Sequence, residues 1–90
     1  MSAPTYEIRD GVVSRTVGDE TVIIDLDRET HFGVNRVGSV IWAELEQGAH
    51  LPQIVAAIVD RFDVIAQRAT TDIATLLADL ERCGLIVRRM

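Results

Sequence analysis

The sequence predicts an α+β domain in the winged helix-turn-helix arrangement, a three-stranded antiparallel β-sheet followed by three α-helices. Three observations predict it. Short runs rich in Val, Ile and Thr, separated by turn residues, occupy the chain up to Val34. At Asn35 the apolar period changes to helical spacing and keeps it to Cys83. Strands therefore come first and helices after, the order of a three-helix unit set on a small sheet.

Residues 1–4 are expected to be a loose tail, with a single domain over 5–90. Tyr6 to Ile8 reads as a short strand, ended by the turn signal Asp10-Gly11. Val12 to Val17 is the next strand, Gly18-Asp19-Glu20 its turn, and Thr21 to Leu26 a strand rich in β-branched residues. Asp27 to Thr30 turns the chain, and Thr30 to Val34 pairs back as an edge strand. Asn35 is a good helix N-cap, Val37, Val40, Ile41 and Leu45 follow at helical spacing, and Gly48 ends the helix. Trp42 anchors this first helix, and Gly38 within it implies close approach to the sheet.

The second helix enters at Leu51-Pro52, with Ile54, Val55, Ile58 and Phe62 on its apolar stripe. The third is predicted to begin near Thr70-Thr71-Asp72, with Asp72 at the positive end of its dipole. Its stripe is Ile73, Leu76, Leu77, Leu80 and Cys83, and Gly84 stops it. Leu85 to Arg88 forms a last strand or an extended tail.

Composition narrows the function. With 48% hydrophobic and 26% charged residues, the 90-residue chain is globular rather than disordered. Its four aromatic residues are Tyr6, Phe32, Trp42 and Phe62, so the core is mainly aliphatic. The net charge of −5 argues against nonspecific phosphate binding. The lone Cys83 can neither staple the fold nor join a metal cluster. The longest strongly apolar run, Ile54 to Val59, is too short to span a bilayer, and a soluble cytoplasmic protein without a cofactor is expected.

Residues for catalysis are scarce. His31 falls on the edge strand and His50 in a loop, neither placed to activate Cys83, which reads as a small buried thiol. Asp25 and Asp27 share a strand face but sit where aspartates form turns. DNA binding is disfavoured as well. The third helix, which would enter the major groove, carries Asp72, Asp79 and Glu81 against Arg82. What remains is the strand Thr30–Val34, an open sheet edge able to accept an extended peptide.

Four segments resemble one family. Val34-Asn35-Arg-Val-Gly38-Ser-Val-Ile41-Trp42 looks like its asparagine, glycine, isoleucine-tryptophan signature. Leu51-Pro-Gln-Ile54, Arg61-Phe62-Asp63-Val64 and Leu77-Ala-Asp-Leu80-Glu-Arg-Cys-Gly84-Leu85 follow in the family's order and spacing. The chain resembles the PqqD-like proteins, recognition elements for precursor peptides in ribosomal peptide natural product pathways. Two positions depart from the pattern: Val34 replaces Leu, and His50 replaces the Thr or Ser that caps the second helix.

The resemblance implies a non-catalytic chaperone that binds a precursor's leader peptide by strand addition, with leader side chains against the third helix. A free-standing domain of this length looks most like the lasso peptide branch, whose partners are a cysteine-protease leader peptidase and an ATP-dependent cyclase. The alternatives are a chaperone for the pyrroloquinoline quinone precursor and a winged-helix transcription regulator. No nucleic acid or membrane is expected as a partner. The expected peptide site comprises Glu29, Thr30, His31, Phe32, Gly33 and Val34 on the edge strand. Asp72, Ile73, Leu76, Leu77 and Leu80 complete it on the third helix, about half of that apolar arc serving the groove and half the core. Asp72 and Asp79 are available to leader Arg or Lys.

Overall fold

The first described strand, β1 (Thr5–Ile8), belongs to a different sheet from the three strands that follow it. The computed structural model describes residues 5–89, and the tail expected over 1–4 lies outside them. Strands β2 (Val12–Val17), β3 (Glu20–Asp25) and β4 (Thr30–Val34) form an antiparallel sheet in that order. Helices α1 (Arg36–Glu46), α2 (Leu51–Arg61) and α3 (Ala66–Arg82) follow, and β5 (Ile86–Arg89) closes the chain. The predicted sheet and three helices are all present. The last segment is a strand, paired antiparallel with β1 from Thr5↔Arg89 to Ile8↔Ile86.

Strand alternation decides the faces of the main sheet. Thr21, Ile23 and Asp25 of β3 are buried, as is Val34 of β4, while Val22 and Val13 are exposed. Ile23 meets Trp42, Ile54, Ile73, Leu77 and Leu80 in one core to which all three helices contribute.

Helix α1 is capped as its sequence predicts. Asn35 Oδ1 accepts the Gly38 N–H at 3.0 Å. At its end the Ala49 N–H reaches Glu44 O and the Gly48 N–H reaches Leu45 O, with Gly48 at φ +78°, a Schellman ending. Helix α2 has His50 as its cap residue, and Gln53 Oε1 accepts the His50 N–H at 3.1 Å.

Two expectations about the third helix are corrected. It begins at Ala66, before Thr70, so Asp72 lies inside the helix and away from the dipole end. Ala66-Gln-Arg-Ala69 are good helix formers, Ala69 packs into the core, and Thr70 and Thr71 donate to the carbonyls of Ala66 and Gln67 instead of capping. Cys83 is exposed, not buried on the stripe. The helix stops at Arg82 in a second Schellman ending, with Gly84 at φ +75° and the Leu85 N–H on Leu80 O, and Leu85 takes the core position instead.

Candidate functional site at the β4 edge

The two-residue turn Gly18-Asp19 fixes which backbone groups of the sheet are free. It closes on the pair Val17↔Glu20, and Gly18 takes the φ of +61° that such a turn requires. Hydrogen-bonded pairs then alternate along the ladder. Arg15↔Val22 and Val13↔Ile24 belong to that series, which the Leu26 N–H to Gly11 O bond of 2.9 Å continues. Thr21, Ile23 and Asp25 therefore turn their N–H and C=O toward β4, where they face Val34, Phe32 and Thr30. His31 and Gly33 are left with both backbone groups pointing outward. Because β4 is an edge of its sheet among the described residues, four main-chain groups there stand open at strand spacing.

Beside this edge lies a cleft of about 460 Å³ between β4, α1 and α3. Phe32, Gly33 and Val34 line it from β4, Asn35, Val37, Gly38 and Ile41 from the start of α1, and Asp72 and Leu76 from α3. Gly38 is what lets α1 approach. A β-carbon there would lie 2.7 Å from Val34 Cβ. Asp72 is the cleft's one charged lining residue. Its carboxylate is 3.8 Å from Arg68 Nε, a solvent-exposed pair that contributes little and leaves the acid open to a guest cation.

The expected site residues divide into three groups. Phe32, Gly33, Val34, Asp72 and Leu76 come together at the cleft. Glu29, Thr30 and His31 border a separate depression of about 510 Å³ with Val22, Ile24 and Leu26, near the β3–β4 turn. Ile73, Leu77 and Leu80 do not line the cleft: each is 1% exposed, in the core with Ala69. The helix is rotated so that its 69, 73, 77 and 80 stripe faces inward, leaving Leu76, half-buried, on the flank one turn from Asp72. The contribution of α1 to the lining is not apparent from sequence. Gly38 and the adjacent Val37 carried the available signal, a helix start pressed against the edge strand.

A polar clasp ties the far end of the sheet to α3. Arg9 Nη2 donates to Asp25 Oδ2 at 2.6 Å and Arg9 Nε to Gly84 O at 2.7 Å. Arg28 Nη1 donates to Cys83 O at 3.0 Å. Asp25 Oδ1 also accepts the N–H groups of Asp27 and Arg28, the turn role expected of it. Burial pushes the Asp25 carboxyl up, but the Arg9 hydrogen bond, the turn N–H donors and the Arg9 charge together hold it below its usual value. The clasp thus joins the turn that begins β4 to the end of α3, the two elements on either side of the cleft.

The family described as Coenzyme PQQ synthesis protein D (PqqD) matches residues 20–86, a span that holds every residue lining the cleft. The chain belongs to the PqqD family. Two solved structures share this PqqD-family fold. "TbiB1 in Complex with the TbiA(beta) Leader Peptide" is 36% identical, with a TM-score of 0.85 over 89% of this chain and 93% of that one. "Lasso peptide synthetase B1 complexed with the leader peptide" has a TM-score of 0.83 over 91% and 96% of the two chains. At 18% identity it supports the fold alone. No curated protein matches the sequence. The resemblance carried by the segment from Val34 to Trp42 and its downstream partners is borne out, and the PqqD match includes all four segments.

Proposed function

We propose that this PqqD-family protein is a non-catalytic carrier of a precursor's leader peptide in lasso peptide biosynthesis. The leader adds as a fourth strand beside β4 and is presented to a leader peptidase and an ATP-dependent cyclase. One observation carries the reading: the outward backbone groups of His31 and Gly33 adjoin an apolar cleft. The likeness to TbiB1, solved with a leader peptide, supports it.

Energetics assign a role to each half of the site. Four strand hydrogen bonds contribute about 0.5–1.5 kcal/mol each, and ordering a flexible leader costs about 2–5 kcal/mol. Pairing alone therefore sets register with little net affinity. One large apolar side chain lowered between Phe32 and Leu76 adds about 1.5–3 kcal/mol and tips the balance. Asp72 at the same cleft favours a leader with Lys or Arg near that anchor.

The test is a fluorescence polarisation titration with the TbiA(beta) leader and with the leader of a precursor encoded beside this gene. Saturable binding is expected, weakened at least about tenfold by Leu76→Asp while helical circular dichroism is unchanged. Failure to bind either leader, or full affinity in a folded Leu76→Asp, contradicts the proposal. The family's description favours a second reading, the same strand addition to the pyrroloquinoline quinone precursor. Preference for that peptide over lasso leaders in the same assay would establish it.

A further inference from the structure

Gly33 has no backbone or packing reason to be glycine. Its φ is not among the positive ones, and a β-carbon added to it would meet nothing within 4 Å. In the middle of a strand a glycine weakens the sheet, so the space it leaves is its one distinctive property. That space lies on the outer face, opposite the core. Arg15↔Val22 and Val22↔Gly33 are directly paired, so these three residues form one row across the outer side of β2, β3 and β4. A depression of about 450 Å³ opens there, with Val17, Glu20 and Val22 around Gly33, and it runs on past the strand end to Thr21, Val34 and Asn35. Val17 is 67% and Val22 39% exposed, apolar surface without cover.

We propose that this recess is a second side-chain subsite, which takes an aromatic ring from the peptide residue next to the one that enters the cleft. The inference rests on strand addition at β4. In an added strand the residue across from Phe32 faces the cleft, and its neighbour across from Gly33 faces outward, in whichever direction the strand runs. Strands lie about 4.8 Å apart, so the Cα of that neighbour stands about 9.6 Å from that of Val22. A short side chain cannot cross the gap. A flat ring can lie over the glycine and reach Val22, as aromatic residues do when they cover glycines on neighbouring strands. Recognition then reads two adjacent residues on opposite faces of the sheet, an apolar anchor inside and an aromatic one outside.

The test is selection of phage-displayed random peptides on immobilised protein, in wild type, Gly33→Val and Val22→Ser. Gly33→Val fills the recess yet keeps the edge N–H and C=O and favours a strand. Val22→Ser removes the ring's support without touching β4. Wild type is expected to enrich an aromatic residue adjacent to an apolar anchor. Val22→Ser, which lies outside the cleft, should keep the anchor, and both variants should lower the aromatic enrichment about tenfold. If one variant fails to fold, judged by circular dichroism, the other gives the reading. An anchor without an adjacent aromatic in wild type, or equal aromatic enrichment in a folded variant, overturns the subsite alone. Absence of any enriched anchor in wild type overturns strand addition, and the subsite with it.

Discussion

Arg9 Nη2 stands 2.6 Å from Asp25 Oδ2, and the Asp25 side chain is almost fully removed from solvent. This pair draws the β1–β2 link, the β3–β4 turn and the end of α3 together, since Arg9 also reaches Gly84 O. Asp25→Asn keeps one oxygen for the two turn N–H groups but sets an NH2 against Arg9, which loses its charged acceptor. Asp25→Asn should lower the melting temperature by on the order of 10 °C near neutral pH.

The same pair predicts a pH dependence. The folded carboxyl lies below its ordinary value of 3.8, so the unfolded chain takes up the proton first as pH falls. The stabilisation is complete above about pH 5 and is lost as the pH falls through the folded value. Thermal melts between neutral and acidic pH should show a steeper acid loss in wild type than in Asp25→Asn. Parallel curves would refute the role given to the pair.

Gly38 and Val34 set the depth of the cleft. Gly38→Ala gains about 1 kcal/mol of helix propensity but forces its methyl within 2.7 Å of Val34 Cβ. Overpacking of this kind costs about 1–3 kcal/mol, so a net loss of about 1 kcal/mol is expected in urea unfolding. Leader affinity should fall with it, since Val34 and Gly38 both line the cleft. A variant more stable than wild type would show that α1 can retreat freely.

Adjacent leucines on α3 should behave oppositely. Leu77, 1% exposed, should lose about 2–5 kcal/mol of stability on change to Ala. Leu76, half-buried at the cleft, should lose about 1 kcal/mol or less and instead weaken leader binding. Urea unfolding and titration of both variants separate the two effects, and the reverse order would contradict the rotation of α3.

Much of this was legible because local chemistry and fold agree. Asn35 caps α1, Gly48 and Gly84 end helices, and Thr30–Val34 is an edge strand, each read from short-range signals. The start of α3 was not, because Ile65 offers no capping side chain and Thr70-Thr71-Asp72 looks more like a cap than Ala66 does. The rotation of α3 was equally hidden. Ile73, Leu76, Leu77 and Leu80 make an apolar arc too broad for periodicity to say which residue lies at its border. Cys83 was misplaced for a related reason: it lies on the flank of the same arc, seven residues after Leu76, and the Schellman turn at Gly84 brings Leu85 into the core instead. The Asp25 clasp needs Arg9 and Gly84, partners far apart in the chain.

Amide hydrogen exchange by NMR, residue by residue and with and without saturating leader peptide, tests strand addition most directly. The His31 and Gly33 amides point away from β3 and should exchange fast in the free protein, then slow at least about tenfold in the complex. Those of Phe32 and Val34, already in the ladder, should change far less. Unchanged exchange at His31 and Gly33 in a saturated complex would contradict the account.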